Sequence, residues 1–167
     1  MNNKTVANLL TKWAAYKSAE ALREEAEAAN NAEQQAHIEP IFAMAFPVLV
    51  AKGITYSNSW TCGEEQYAAI TAWESESGVE AFCSETAAKN GPRIDELKKL
   101  ELEAQDEVLN FALEMMEHDV SPTTLTDEQK QRFREITNMK GWNRDRQKFL
   151  EILERYISGI QSRNFTA

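Results

Sequence analysis

Residues 5–39 contain neither glycine nor proline, and within them Val6, Leu9, Leu10, Trp13 and Tyr16 recur at three- and four-residue spacing. Residues so spaced share one face of an α-helix, so the segment predicts an amphipathic helix with one apolar stripe. A stronger pattern occupies residues 93–118. There Leu97, Leu100, Ala104, Val108, Phe111 and Met115 form one stripe, and Leu102, Leu109, Leu113 and Met116 a second. Two stripes on one rod require cover on two sides, either from the rest of the fold or from a second copy of the chain in a homodimer. Only six glycines and four prolines occur in 167 residues, which disfavours a turn-rich sandwich. The expected fold class is mainly α: a helical domain with one long central helix at about 93–118.

The rest of the chain fills in around that helix. After Leu22 the first helix turns polar, with Ala26, Ala29, Ala32 and Ala36 as its main apolar face, and alanine gives strong helix propensity but little burial. That half reads either as a solvated arm or as a face that lets another backbone approach. Pro40 suits the first turn of a new helix. The apolar run at 41–50, around Phe42, Phe46 and Leu49, is expected at the centre of the core. Ile54, Tyr56 and Trp60 alternate with Thr55, Ser57 and Ser59, which predicts a small β-hairpin at about 54–74. Tyr67, Ile70 and Trp73 equally fit a helical stripe, so residues 66–74 stay open between strand and helix.

A short helix is expected at 79–89, stopped by Asn90-Gly91-Pro92. Ser121-Pro122 opens a break, and Thr126-Asp127-Glu128-Gln129 has the form of a capping box. From there a C-terminal helical hairpin is expected, its last helix facing inward through Phe149, Leu153, Tyr156 and Ile160. The organisation expected is an acidic helical body, 1–125, and the C-terminal helical hairpin, 126–167, as part of the same domain.

Charge is the most unusual compositional feature. The chain holds 27 acidic and 18 basic side chains, a net charge of −9. Residues 1–125 hold 21 acidic and 9 basic groups, and residues 126–167 hold 6 and 9. An acidic body repels nucleic acid and anionic membranes and attracts basic protein surfaces. Its carboxylates fall in rows: Glu20, Glu24 and Glu27 on the first helix, and Glu96, Glu103, Glu107 and Glu114 on the long one. Such rows on rigid helices can imitate a phosphate backbone, while the plain alternative is a solvated face that keeps the protein dispersed. In the tail, Arg132, Lys140, Trp142, Arg144 and Arg146 form the candidate nucleic-acid contact, since basic groups beside an aromatic can hold a backbone and stack a base. Interleaved Asp127, Glu128, Glu135 and Asp145 favour ion-paired helix faces there instead.

No phosphate loop, nucleophile elbow or zinc spacing occurs. Glu114, Glu117 and His118 share a turn, but a carboxylate-bridged iron centre needs Glu-x-x-His on two helices. Catalytic and metal residues are therefore expected to be none, and cofactors none. Cys62 and Cys83 stand far apart and read as free thiols. The first residues lack the unbroken apolar core of a signal peptide, and the longest apolar run falls short of a membrane span, so the expected location is cytoplasmic.

Lys52-Gly53-Ile54-Thr55-Tyr56-Ser57, followed by the expected strand, and the later Leu125-Thr126-Asp127-Glu128-Gln129 resemble phage single-strand annealing proteins of the Erf type, over about a third of the chain. The resemblance implies a nucleic-acid-associated accessory role in annealing or recombination. The basic, glycine-containing segment with paired arginines that such proteins carry next is missing, its place being taken by the acidic rod at 93–118. The chain is therefore not assigned to that family. The function expected from the sequence is a non-enzymatic protein-binding protein, a small acidic inhibitor of the nucleic-acid-mimic type found in mobile elements. Its partner would be another protein with a basic surface. The alternative is the nucleic-acid accessory role through the C-terminal basic hairpin.

Overall fold

The computed structural model describes residues 3–118 and 144–164, with Glu128, Gln131 and Glu135. The chain is mainly helical. Its elements are α1 (Asn3–Ala45), α2 (Pro47–Val50), a 3₁₀ helix (Tyr56–Thr61), α3 (Glu64–Ser77), α4 (Val79–His118) and α5 (Arg144–Asn164). Among the described residues there is no strand, and no helix is long and apolar enough to cross a membrane. The expected hairpin at 54–74 is therefore replaced by the 3₁₀ helix and α3.

The contacts divide the chain into two compact units, one formed by Met1–Ala21 with Lys98–Ala167, the other by Leu22–Leu97. The first unit is a three-helix core. Leu9 and Tyr16 of α1, Val108, Leu109, Ala112 and Leu113 of α4, and Phe149, Leu150, Leu153 and Ile157 of α5 are buried together. Both expected stripes of α4 thus find cover within the chain here. Leu100, which opens this unit's part of the first stripe, remains exposed. Each fully buried aliphatic or aromatic side chain contributes about 1.5–3 kcal/mol, so this cluster dominates the unit's stability.

One polar contact lies within α1 and a second ties α5 to α4. Tyr16 on α1 donates from its hydroxyl to Glu20 Oε1 at 2.9 Å, and burial, then Glu20, hold its phenol above its ordinary range. Arg146 on α5 reaches Gln105 and Asp106 of α4. The segment 126–141, with its capping box, lies outside the described residues, apart from Glu128, Gln131 and Glu135, which are helical.

In the second unit α1 continues through Pro40 rather than stopping there, and ends at Ala45. An interior proline costs about 3 kcal/mol. Ile38 and Phe42, one turn apart across Pro40, are both buried, and two such side chains at about 1.5–3 kcal/mol each offset that cost. The break comes at Phe46, φ −127° and ψ 54°, because the residue before Pro47 is driven out of the helical region. Only Phe42 of the run at 41–50 is buried; Phe46 and Leu49 are half-buried and Met44 and Val48 exposed. The run therefore caps a core rather than filling one.

That core is aromatic. Phe42 meets Trp73 edge-on at 5.8 Å and Tyr56 at 6.0 Å, and Phe46 packs against the same indole at 5.4 Å. Tyr56 donates to Glu74 Oε1 at 2.8 Å, and burial followed by Glu74 raises its pKa. Gly78 closes α3 at φ 80°, a left-handed position that glycine tolerates without a Cβ penalty.

The expected stop at Asn90-Gly91-Pro92 does not operate, and α4 runs on from Val79 to His118. The reason is tertiary. Lys89 pairs with Glu33 at 2.7 Å, and the Asn90 amide donates to Asn30 and Glu33 of α1, both at 3.0 Å. His37 stacks on Phe82 at 3.8 Å on the same pair of helices. The polar residues Asn30 and Glu33 therefore make this contact, while Ala29, Ala32 and Ala36 stay exposed.

Candidate functional site

The acidic rows expected to bind a partner are, for the most part, already occupied within the chain. On α1, Glu20 holds Lys17 and the Tyr16 hydroxyl, Arg23 lies 3.5 Å from Glu24, and Arg23 pairs with Glu27 at 2.6 Å. On α4, Arg93 pairs with Glu96 at 2.8 Å, Lys99 with Glu103 at 3.8 Å, and Lys12 of α1 reaches Glu107 at 3.0 Å. Glu114 is exposed. Ion pairs of this exposed kind contribute about 0–1 kcal/mol each to stability, but they offset most of the charge that a partner would meet along these rows.

The basic constellation is only partly described. Arg132, Lys140 and Trp142 lie outside the described residues, and of Arg144 only the backbone is described. Arg146 is buried, its side chain 3% exposed, and its guanidinium is committed to Gln105 and Asp106. A guanidinium enclosed in this way serves helix packing and has no face left for a phosphate.

Net charge is distributed by unit. Residues 22–97 hold 13 acidic and 4 basic side chains, a balance of −9, and the remaining residues hold 14 of each. One unit therefore carries the whole formal charge of the protein. Within it, residues 53–88 contain six glutamates and no lysine or arginine. Of the four cations in that unit, Arg23, Lys89 and Arg93 are engaged with Glu24 and Glu27, Glu33, and Glu96. Glu64 and Glu65, in the first turn of α3, are exposed, and no ion pair among the described residues engages them.

Exposed apolar side chains, several of them expected in a core or on a strand, lie within this stretch and just before it. Seven large hydrophobics are exposed among the described residues, and five of them, Met44, Val48, Val50, Trp60 and Tyr67, fall from the last turn of α1 to the first turn of α3. Met44 is 77%, Val48 66% and Trp60 74% exposed. The 3₁₀ helix that carries Trp60 is pinned from outside the local sequence. Glu39 of α1 accepts the Tyr56 N–H at 3.0 Å, the Ser57 N–H at 3.1 Å and the Ser57 hydroxyl at 2.7 Å. Partial burial opposes ionisation of Glu39, but these three bonds outweigh it and leave its carboxyl below the ordinary range. The Thr55 N–H donates to Asn58 Oδ1 at 2.8 Å and the Thr61 hydroxyl to the Asn58 carbonyl at 2.7 Å.

Among the described residues no group of three or more His, Cys, Asp or Glu is placed to hold a metal ion. Cys62 and Cys83 are free and half-buried, and burial followed by the nearby Glu74 raises the Cys83 thiol. A signal for the charged stretch was present in the sequence as the absence of any cation over 53–88, whereas the exposure of Trp60 was not readable there. No known protein family, curated protein or solved structure matches the chain.

Proposed function

We propose that this chain is a non-enzymatic protein-binding protein, an acidic inhibitor that docks on a basic surface of another protein, of the kind that otherwise holds a phosphate backbone. The observation that supports the reading is the concentration of the full −9 net charge in residues 22–97, with the remainder neutral. A field of one sign confined to one unit attracts a basic surface and repels nucleic acid. The nucleic-acid accessory reading draws on the C-terminal cations, and Arg146 is already committed within the core.

The test is a titration at low ionic strength against labelled oligolysine, single-stranded DNA and duplex DNA. Oligolysine is expected to bind, with affinity falling as salt rises, and neither nucleic acid is expected to bind. Binding of DNA that weakens steeply with salt would instead support the accessory role, because phosphate contacts release counterions.

A further inference from the structure

We propose that the exposed apolar residues Met44, Val48, Val50, Trp60 and Tyr67 form the docking surface, and that its occupant is a lysine- or arginine-rich segment with an apolar face on a partner protein. The inference rests on the protein-binding reading above and names the surface and the chemistry of what covers it.

Exposure and residue type select the segment. Tryptophan and tyrosine are among the residues that carry most of the energy at protein interfaces, and methionine is enriched there. Trp60 stands on a backbone held by Glu39, Asn58 and Thr61, so little ordering remains to be lost when a partner covers it. The aromatic core of Phe42, Phe46, Tyr56 and Trp73 supports that backbone through Tyr56. An exposed indole also accepts a cation over its face.

Charge selects the occupant. Residues 53–88 hold six glutamates and no lysine or arginine, with the exposed Glu64 and Glu65 one turn or less from Tyr67 on α3, while Lys52 is the one cation within 44–67. A second copy of the chain would bring the same excess of negative charge to the same place, and nucleic acid and anionic lipid are repelled for the same reason. A basic segment with an apolar face satisfies both halves of the surface. By contrast, the rows at Glu20–Glu27 and Glu96–Glu114 are largely neutralised by Lys12, Lys17, Arg23, Arg93 and Lys99.

The test uses the full chain and two labelled probes, a synthetic amphipathic helix built of leucine and lysine, and oligolysine of equal charge, followed by fluorescence anisotropy. The Leu/Lys helix is expected to bind more tightly than oligolysine. Trp60→Ser with Tyr67→Ser should weaken the Leu/Lys helix about tenfold, equivalent to ~1.4 kcal/mol, and leave oligolysine unchanged. Met44→Gln, at the most exposed position, should weaken the helix in the same direction, and circular dichroism should be unchanged in all variants. Equal binding of the Leu/Lys helix by wild type and by both variants overturns the surface while leaving the protein-binding reading standing. Failure of both probes to bind at low salt overturns that reading itself. A concentration-dependent dimer in sedimentation that Trp60→Ser with Tyr67→Ser dissolves would make the occupant a second copy and overturn the proposal.

Discussion

Phe42→Ala is expected to destabilise the protein by about 3–5 kcal/mol, a large share of the roughly 5–15 kcal/mol available to a domain. Phe42 is fully buried, and its ring touches Phe46, Tyr56 and Trp73, which come from three different parts of the chain. Truncation leaves a cavity that those rings cannot close without leaving their edge-to-face contacts, so the cavity cost adds to the lost transfer energy. Phe46→Ala, at a half-buried site four residues on, is expected to cost clearly less. Chemical denaturation of the two variants ranks them. Equal losses would mean that the run at 41–50 is enclosed on every side, in which case Met44 and Val48 would not be available to a partner.

The second large effect is expected at Arg146. Arg146→Ala should cost about 2–4 kcal/mol, because removal of one partner from an enclosed pair strands the other and also deletes the packed stem. The figure sits below that for a fully buried pair because Asp106 is 46% exposed and can recover water. Arg146→Met, which keeps the stem, should cost less. An arginine serving as a phosphate contact would behave in the opposite way: its loss would weaken nucleic-acid binding and leave denaturation unchanged, within about 0.5 kcal/mol. Denaturation of the two variants with a parallel DNA titration separates these roles.

Those two residues also mark how far the sequence could be read. The stripes through Leu9 and Tyr16, Val108 and Leu109, and Phe149 and Leu153 were legible because each is a property of one helix, and all six are buried together. What could not be read were features that depend on a distant partner. Residues 54–60 alternate like a strand, but Glu39, held on α1, accepts the Tyr56 and Ser57 N–H groups and turns the segment into a 3₁₀ helix. Asn90-Gly91-Pro92 has the composition of a helix stop, and Asn30 and Glu33 hold it helical from across the unit. Pro40 was read as a helix start because the burial of Ile38 and Phe42 on either side of it is not a local property.

The candidate site divides along the same line. The glutamate rows are visible as spacing, but whether a row is open depends on pairs such as Lys12 with Glu107, ninety-five residues apart. The cation-free stretch at 53–88 was equally present in the composition. Its meaning emerges only when Trp60, expected on a half-buried strand, proves to be exposed beside it.

Charge reversal at two places tests most directly whether the protein docks through residues 44–67. Glu64→Lys with Glu65→Lys and Glu103→Lys with Glu107→Lys change the net charge by the same amount, so net charge does not account for a difference between them, and circular dichroism checks that loss of the Lys99 and Lys12 pairs leaves the second variant folded. The measurement is the stopped-flow association rate with the Leu/Lys helix, at low salt and again at high salt. A docking surface at 44–67 predicts that the reversal at Glu64 and Glu65 slows association several-fold more than the other, with the gap closing as salt is added. Equal slowing by both pairs, or greater slowing from Glu103 and Glu107, would contradict it and return the contact to the acidic face of α4.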